Sequence, residues 1–295
     1  MIAKIRVIFL SAFALIGLTH ITEAQNLQNY TPSILFGPGD WELKSFQNLY
    51  RQTKRFAGDG GLEKQDDGDA QIFFTSINQF LYGVNSQLNV GVDVWVNHTS
   101  LPFDGDRESQ TAISLIGPKI KIAPFKSLSR LSIQTSYLFA VTDDMENRSP
   151  SSSRRSFFFA NDRSLWLTQF FYDKPINDQF QLFFQQAFWY NVVHESFREN
   201  NFLQTQTSVF ASYFPNSKWT LYAMTEYFPT HYDPGEGQQT GSAFHSYFVQ
   251  SGLGTKYQLV PNLIELELLY TNFWLGSGGE GAGQTFNFGI RLINQ

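Results

Sequence analysis

Apolar and polar residues alternate at period two along most of this chain, while the 3.6-residue spacing of a helix is hard to find; this is the pattern of half-buried strands. In Leu88-Asn89-Val90-Gly91-Val92-Asp93-Val94-Trp95-Val96 one face is wholly aliphatic and the other mostly polar. Leu131–Val141 and Phe286–Leu292 repeat the arrangement. Twelve such segments are expected, at 41–56, 71–83, 88–98, 112–123, 131–142, 163–172, 179–192, 202–214, 219–230, 244–258, 263–274 and 284–294. The second, 71–83, is apolar on both parities and fixes no register of its own.

Connections alternate in length. Residues 84–87, 124–130, 173–178, 215–218 and 259–262 are short, whereas 57–70, 99–111, 143–162, 193–201, 231–243 and 275–283 are long. In an up-and-down meander the two sets lie at opposite ends, the layout of an outer-membrane barrel with turns toward the periplasm and loops outside. A soluble sandwich or lipocalin-like barrel would point the apolar face inward, but eight strands already enclose a fillable interior and twelve would leave an apolar void. Most segments reach the ~9–11 residues that a tilted strand needs to cross a bilayer, and closure satisfies the backbone in lipid. The expected fold class is therefore all-β: a closed antiparallel up-and-down transmembrane β-barrel of about 12 strands, one domain over 41–295.

Ahead of it, Lys4 and Arg6 precede the apolar run Val7–Leu18 and the small-x-small ending Thr22-Glu23-Ala24. That order describes a secretory signal over 1–24, cleaved before Gln25. The apolar run falls short of the ~20 residues of a membrane-spanning helix. Residues 25–40 are left as a short N-terminal periplasmic segment, and the expected location is the bacterial outer membrane.

Composition narrows the chemistry. With no cysteine there is no disulfide, thiolate metal site, cysteine nucleophile or lipoprotein anchor. A net charge of −5 without a basic stripe speaks against nucleic acid. The aromatics (30 Phe, 13 Tyr, 6 Trp) gather near strand ends: Tyr82, Tyr172, Phe180, Trp219 and Tyr257 at the turn side, and Trp95, Trp189, Tyr190, Tyr227, Tyr232 and Trp274 at the loop side. They read as interfacial girdles, around a wall that is polar inside and Phe-rich outside.

The last strands allow a register test. With Trp274 opposite Gln284, Leu266–Leu292, Leu268–Ile290 and Tyr270–Phe288 share the lipid face and Glu267–Arg291 the lumen. With Gln258 opposite Leu263, Lys256 meets Glu265 and Gly254 meets Glu267. Lys256, Glu265, Glu267 and Arg291 then form one lumenal patch near the periplasmic mouth, either a charged constriction or a salt-bridge brace; cross-strand pairs of opposite charge each stabilise by roughly 0.2–1 kcal/mol. Asp93, Lys119, Lys121 and Glu226 are further lumenal candidates.

His98, His194, His231 and His245 fall at loop-side strand ends, an outer-rim group without metal-ligand spacing. Glu195-Ser196-Phe197-Arg198-Glu199-Asn200-Asn201-Phe202, with Trp219-Thr220-Leu221 and His231 beyond, resembles the outer-membrane phospholipase A family, which implies a twelve-stranded barrel with a Ser, His and Asn site at the outer rim. The family's His-x-Ser-Asn-Gly motif is replaced here by His231-Tyr232-Asp233-Pro234-Gly235, so the nucleophile is missing. His98-Thr99-Ser100 and His194-Glu195-Ser196 restore the His-x-Ser spacing without Asn-Gly. Asp66-Asp67-Gly68-Asp69 lacks calcium-loop spacing, and 276–283 reads as a flexible glycine-rich loop rather than a phosphate cradle. Tyr82–Gly91 and Gly254–Leu259 resemble the turn and strand phrases of the outer-membrane transporter family of the phenol meta-degradation pathway, although the chain ends Ile293-Asn294-Gln295 without a terminal aromatic.

The expectation is a narrow channel or passive transporter for small solutes in outer-membrane lipid, with no cofactor. Two alternatives stand behind it: a non-conducting barrel serving as a structural, adhesion or complex-assembly partner to another envelope protein, and an outer-membrane lipid hydrolase.

Overall fold

The period-two segments form strands β1 (Trp41–Phe56), β3 (Gln71–Asn85), β4 (Leu88–Phe103), β5 (Asp106–Ile122), β6 (Leu131–Ala140) and β7 (Arg163–Pro175), with a short β2 (Leu62–Lys64) added to the end of β1. They continue as β8 (Phe180–Val193), β9 (Phe202–Asn216), β10 (Trp219–Tyr232), β11 (Ser246–Val260), β12 (Ile264–Ser277) and β13 (Gly281–Asn294). The computed structural model describes residues 33–65, 70–103, 106–141, 163–193, 201–232 and 246–294. Each long strand is antiparallel to the next, and β13 pairs back onto β1 from Trp41 opposite Asn294 to Arg55 opposite Gly281. Twelve long strands thus close an all-β barrel. The expected leader over 1–24, residues 66–69, the expected loop 143–162, His194 and His245 lie outside the described residues.

Parity sorts the side chains. On β4, Val90 and Val92 point out while Asn89 and Asp93 are fully buried inside. Ile116, Ile120, Leu253, Leu268, Phe286, Phe288 and Ile290 continue an exposed apolar belt around the wall. A continuous apolar exterior on a closed sheet is stable in hydrocarbon. Outward-facing polar residues satisfy one another: Ser45 donates to Asn78 at 2.7 Å, Gln47 to Ser45 at 2.8 Å and Asn78 to Ser76 at 3.0 Å. Tyr82, Tyr172, Phe180 and Trp219 face outward at the turn end, and Tyr190, Tyr227 and Trp274 do so toward the loop end. Trp95 and Trp189 do not belong to the girdle; they meet inside the barrel, ring centroids 5.8 Å apart.

Registers depart from the sequence reading by two residues. Lys256 faces Glu267 and Gln258 faces Glu265, while Glu265 faces Arg291 and Leu268 faces Phe288. The cause lies in tighter turns. Pro261–Leu263 closes β11 onto β12 with Asn262 at φ 60° and a bulge between Gln258 and Val260. Between β12 and β13 the chain turns within 278–280, where Gly278 and Gly279 take positive φ. The expected connection 275–283, with its glycine-rich flexible loop at 276–283, is mostly strand. A shift of two preserves every face, so only the pairing changes.

The expected loop 99–111 is likewise strand, paired as far as Phe103 opposite Asp106. Its sequence lacks alternation because a hairpin rising past the bilayer needs no lipid face. Arg107 secures it, donating to the Ser100 carbonyl at 3.4 Å and to the Ala70 carbonyl.

Leu268→Lys places an unpaired charge on the lipid face and is expected to lower the unfolding free energy by about 2–4 kcal/mol if it sits near mid-bilayer, measured by denaturant titration in liposomes. An unchanged midpoint would contradict the placement of the belt.

Candidate functional site

Inward-facing residues stack into layers. At the turn end, β1, β5, β12 and β13 bring together Glu42, Lys121, Glu265 and Arg291. The Arg291 guanidinium bridges Glu42 at 2.8 Å and Glu265 at 3.2 Å, and Gln258 donates to Glu265 at 2.5 Å. Lys256 approaches Glu267 at 3.8 Å, and the Tyr222 hydroxyl donates to Glu267 at 2.7 Å. Tyr222 can lie there because residue 254 is glycine: a Cβ would come within 2.2 Å of its ring. Farther round the wall, on β4 and β5, Asp93 pairs with Lys119 and accepts from Ser136 at 3.1 Å.

Residues 33–37 fold into this mouth. Ser33 donates to Asp173, Lys121 donates to the Ile34 carbonyl at 2.5 Å, and Phe36 is buried against Leu81 and Ile293. A cavity of about 150 Å³ lies against them, lined by Glu42, Lys44, Gln79 and Arg291 among others.

Above the charged floor, Phe171, Phe183, Phe210 and Tyr222 form a row across four neighbouring strands, with centroids 5.9, 5.4 and 5.9 Å apart. A layer of side-chain amides follows, including Gln185, Gln206 and Gln250. Nearest the loops is an aromatic collar. Trp95 contacts Trp189, and Phe228, Phe248, Phe273, Tyr50 and Phe73 carry the ring contacts round to β3, at successive separations of 6.0, 5.1, 4.8, 5.2 and 5.7 Å. Behind Trp95, Leu115, Leu138, Leu165, Leu167 and Ala187 fill the side of the barrel between β4 and β8. The remaining lumen holds a cavity of about 430 Å³ reaching from Lys44 and Glu267 up to Trp189 and Phe228.

Each lumenal candidate read from the sequence faces this interior. Lys256, Glu265, Glu267 and Arg291 share the floor with partners exchanged, and Asp93, Lys119 and Lys121 join them from β4 and β5. Lys44, Lys119, Lys121, Lys256 and Arg291 meet Glu42, Asp93, Asp173, Glu265 and Glu267 there, so the two signs balance among the described residues. Glu226 is apart, near the collar. Sequence reasoning missed Glu42, Lys44, Asp173 and the inner aromatics other than Phe273, which the register test places on the lumen face opposite Thr285. The available signal was parity with a polar neighbour: Phe171 stands between Gln169 and Asp173, Phe183 between Gln181 and Gln185, and Phe228 two residues from Glu226. The polar interior with a Phe-rich exterior expected above is corrected to aromatics on both faces, because a lumen of this width can be filled as well as solvated.

Of the rim histidines, His98 and His231 lie on β4 and β10, with five long strands between them either way round the barrel. His98 contacts the Thr111 hydroxyl at 2.7 Å. Of the phospholipase-like stretch, Trp219 and His231 sit at opposite ends of β10, and 194–200 and 233–235 lie outside the described residues.

No family model and no curated protein matches the sequence. Solved structures do match. An outer-membrane channel from Pseudomonas putida F1 is similar at a TM-score of 0.64 and 9% identity, over 90% of this chain and 99% of that chain. The fold is one that outer-membrane channels use. The translocator domain of an autotransporter from Neisseria meningitidis follows at 0.48 and 11% identity, over 87% and 89%, and a monoaromatic hydrocarbon channel at 0.44 and 11%, over 88% and 89%. The likeness to the Pseudomonas putida protein supports an outer-membrane barrel and provides no sequence link to the phenol-pathway transporters or the phospholipases.

Arg291→Ala leaves Glu42 and Glu265 facing each other without their shared cation. A loss of about 3–5 kcal/mol is expected, measured by denaturant unfolding, with Glu265→Gln added to Arg291→Ala recovering part of it. No recovery would mean that Arg291 acts through packing rather than charge.

Proposed function

We propose that this protein is a narrow channel for small solutes in the bacterial outer membrane, reached by export through the leader at 1–24. The observation that carries the reading is the cavity of about 430 Å³ inside a closed barrel with an apolar outer belt, lined largely by aromatic rings and side-chain amides. Solute enters past the aromatic collar, moves along the amide layer and leaves over the charged floor, where Lys256, Glu267, Glu265 and Arg291 form the constriction.

One observation favours a second reading. The segment 33–37 occupies the turn-end mouth, held by Asp173 and Lys121, and a firm seat would make the barrel a non-conducting partner for another envelope protein.

Planar-bilayer recording separates the two. The full-length exported protein is expected to give discrete small steps, and Asp173→Asn, which weakens the Ser33 contact, to raise conductance or open time several-fold. Lys256→Gln and Glu267→Gln are expected to move the reversal potential in opposite directions. Steps only in Asp173→Asn would support the plugged barrel; silence in every folded variant would reject the channel.

A further inference from the structure

The charge of Glu226 is handled unlike that of Glu42, Asp93, Glu265 and Glu267. Its carboxylate, on the inner face of β10 and 7% exposed, accepts from Gln206 at 2.5 Å, Ser208 at 3.0 Å and Gln250 at 2.7 Å. All three donors are neutral, and among the described residues no Lys, Arg or His forms an ion pair with it. Glu42, Asp93, Glu265 and Glu267 each have a cation. Neutral donors hold a carboxylate in place and leave its charge to act on whatever enters the cavity.

What surrounds it is aromatic. Phe228 follows two residues along the same face, its ring stacked on Phe248 at 5.1 Å and edge-on to Trp189 at 6.0 Å. Trp189 donates its indole N–H to Gln206 at 3.2 Å, the same amide that donates to Glu226. An unneutralised carboxylate beside a cluster of aromatic rings offers both attractions that a weakly hydrated organic cation responds to, charge and the ring quadrupole. A simple metal ion would find one carboxylate and no further anionic ligands, too few for the hard-cation coordination it prefers.

We propose that Glu226 and the collar rings Trp189, Phe228 and Phe248 form a binding site for small organic cations, an ammonium or guanidinium head on an apolar body. This rests on the channel reading and names the solute class that the channel favours. The cation seats its head on Glu226 and its body against the rings, then moves on to the charge-balanced floor, which neither traps nor repels it.

The probe is benzyltrimethylammonium, titrated calorimetrically into the full-length refolded barrel in detergent, with benzyl alcohol as the neutral counterpart. Saturable binding is expected, at least tenfold tighter than benzyl alcohol, weakened at least tenfold by Glu226→Gln and several-fold by Phe228→Leu. Equal binding of the neutral probe, or Glu226→Gln unchanged, would overturn the site. Heat-modifiable gel migration reports folding of each variant; should Glu226→Gln fail to fold, Phe228→Leu and Gln250→Leu carry the test. A barrel that binds the cation but is electrically silent keeps the site and loses the channel. One that conducts without binding keeps the channel and loses the site.

Discussion

The pairing of β13 with β1 is the contact on which everything else in this molecule depends. In hydrocarbon an unpaired strand edge exposes backbone groups that each cost several kcal/mol, so an open sheet of these strands has no stable place in a bilayer. Closure removes both edges and fixes inside and outside for every residue on the ring. It also explains why register errors of two are harmless to the wall, while an error of one would turn Val90, Val92 and Leu268 inward and Asp93, Glu267 and Arg291 toward lipid.

Inside the ring, polarity is organised by height. The floor carries nearly all the charge and neutralises it locally, through Arg291 between Glu42 and Glu265, Lys256 beside Glu267, and Lys119 beside Asp93. Such pairs are costly to bury and costlier to break, so they brace the end where the short turns and the segment 33–37 meet. The aromatic layers lie farther from the mouth and narrow the lumen without imposing a field. Glu226 stands between them, its carboxylate held by two amides and a hydroxyl.

Strand positions, closure and the lipid-facing belt were legible because the bilayer imposes a period-two alternation wherever a wall separates hydrocarbon from a polar lumen. Where that demand lapses, so does the signal. The hairpin of β4 and β5 past Thr99 is strand without alternation, since it stands clear of lipid. The inward placing of Phe171, Phe183 and Phe210 was not legible, because hydrophobicity alone does not distinguish a lipid-facing ring from one that lines a lumen. The charge patch was assembled from the right residues with its partners exchanged, because turn geometry at Asn262 and Gly278-Gly279 decides register and is not encoded in hydropathy. The contribution of 33–37 to the mouth rests on a few contacts distant in sequence, Ser33 to Asp173, Lys121 to the Ile34 carbonyl and Phe36 to Leu81 and Ile293, and no local pattern announces those.

An apolar exterior, a closed ladder and a lumen lined by rings and amides are the features on which the proposed channel rests. The most direct measurement is the swelling rate of liposomes containing the refolded protein when diluted into an iso-osmotic solution of a small amine salt. Swelling clearly faster than in protein-free liposomes, and slowing as the solute grows beyond the collar, is what the account predicts. A rate equal to that of empty liposomes, from barrels shown to be folded and inserted, would contradict it.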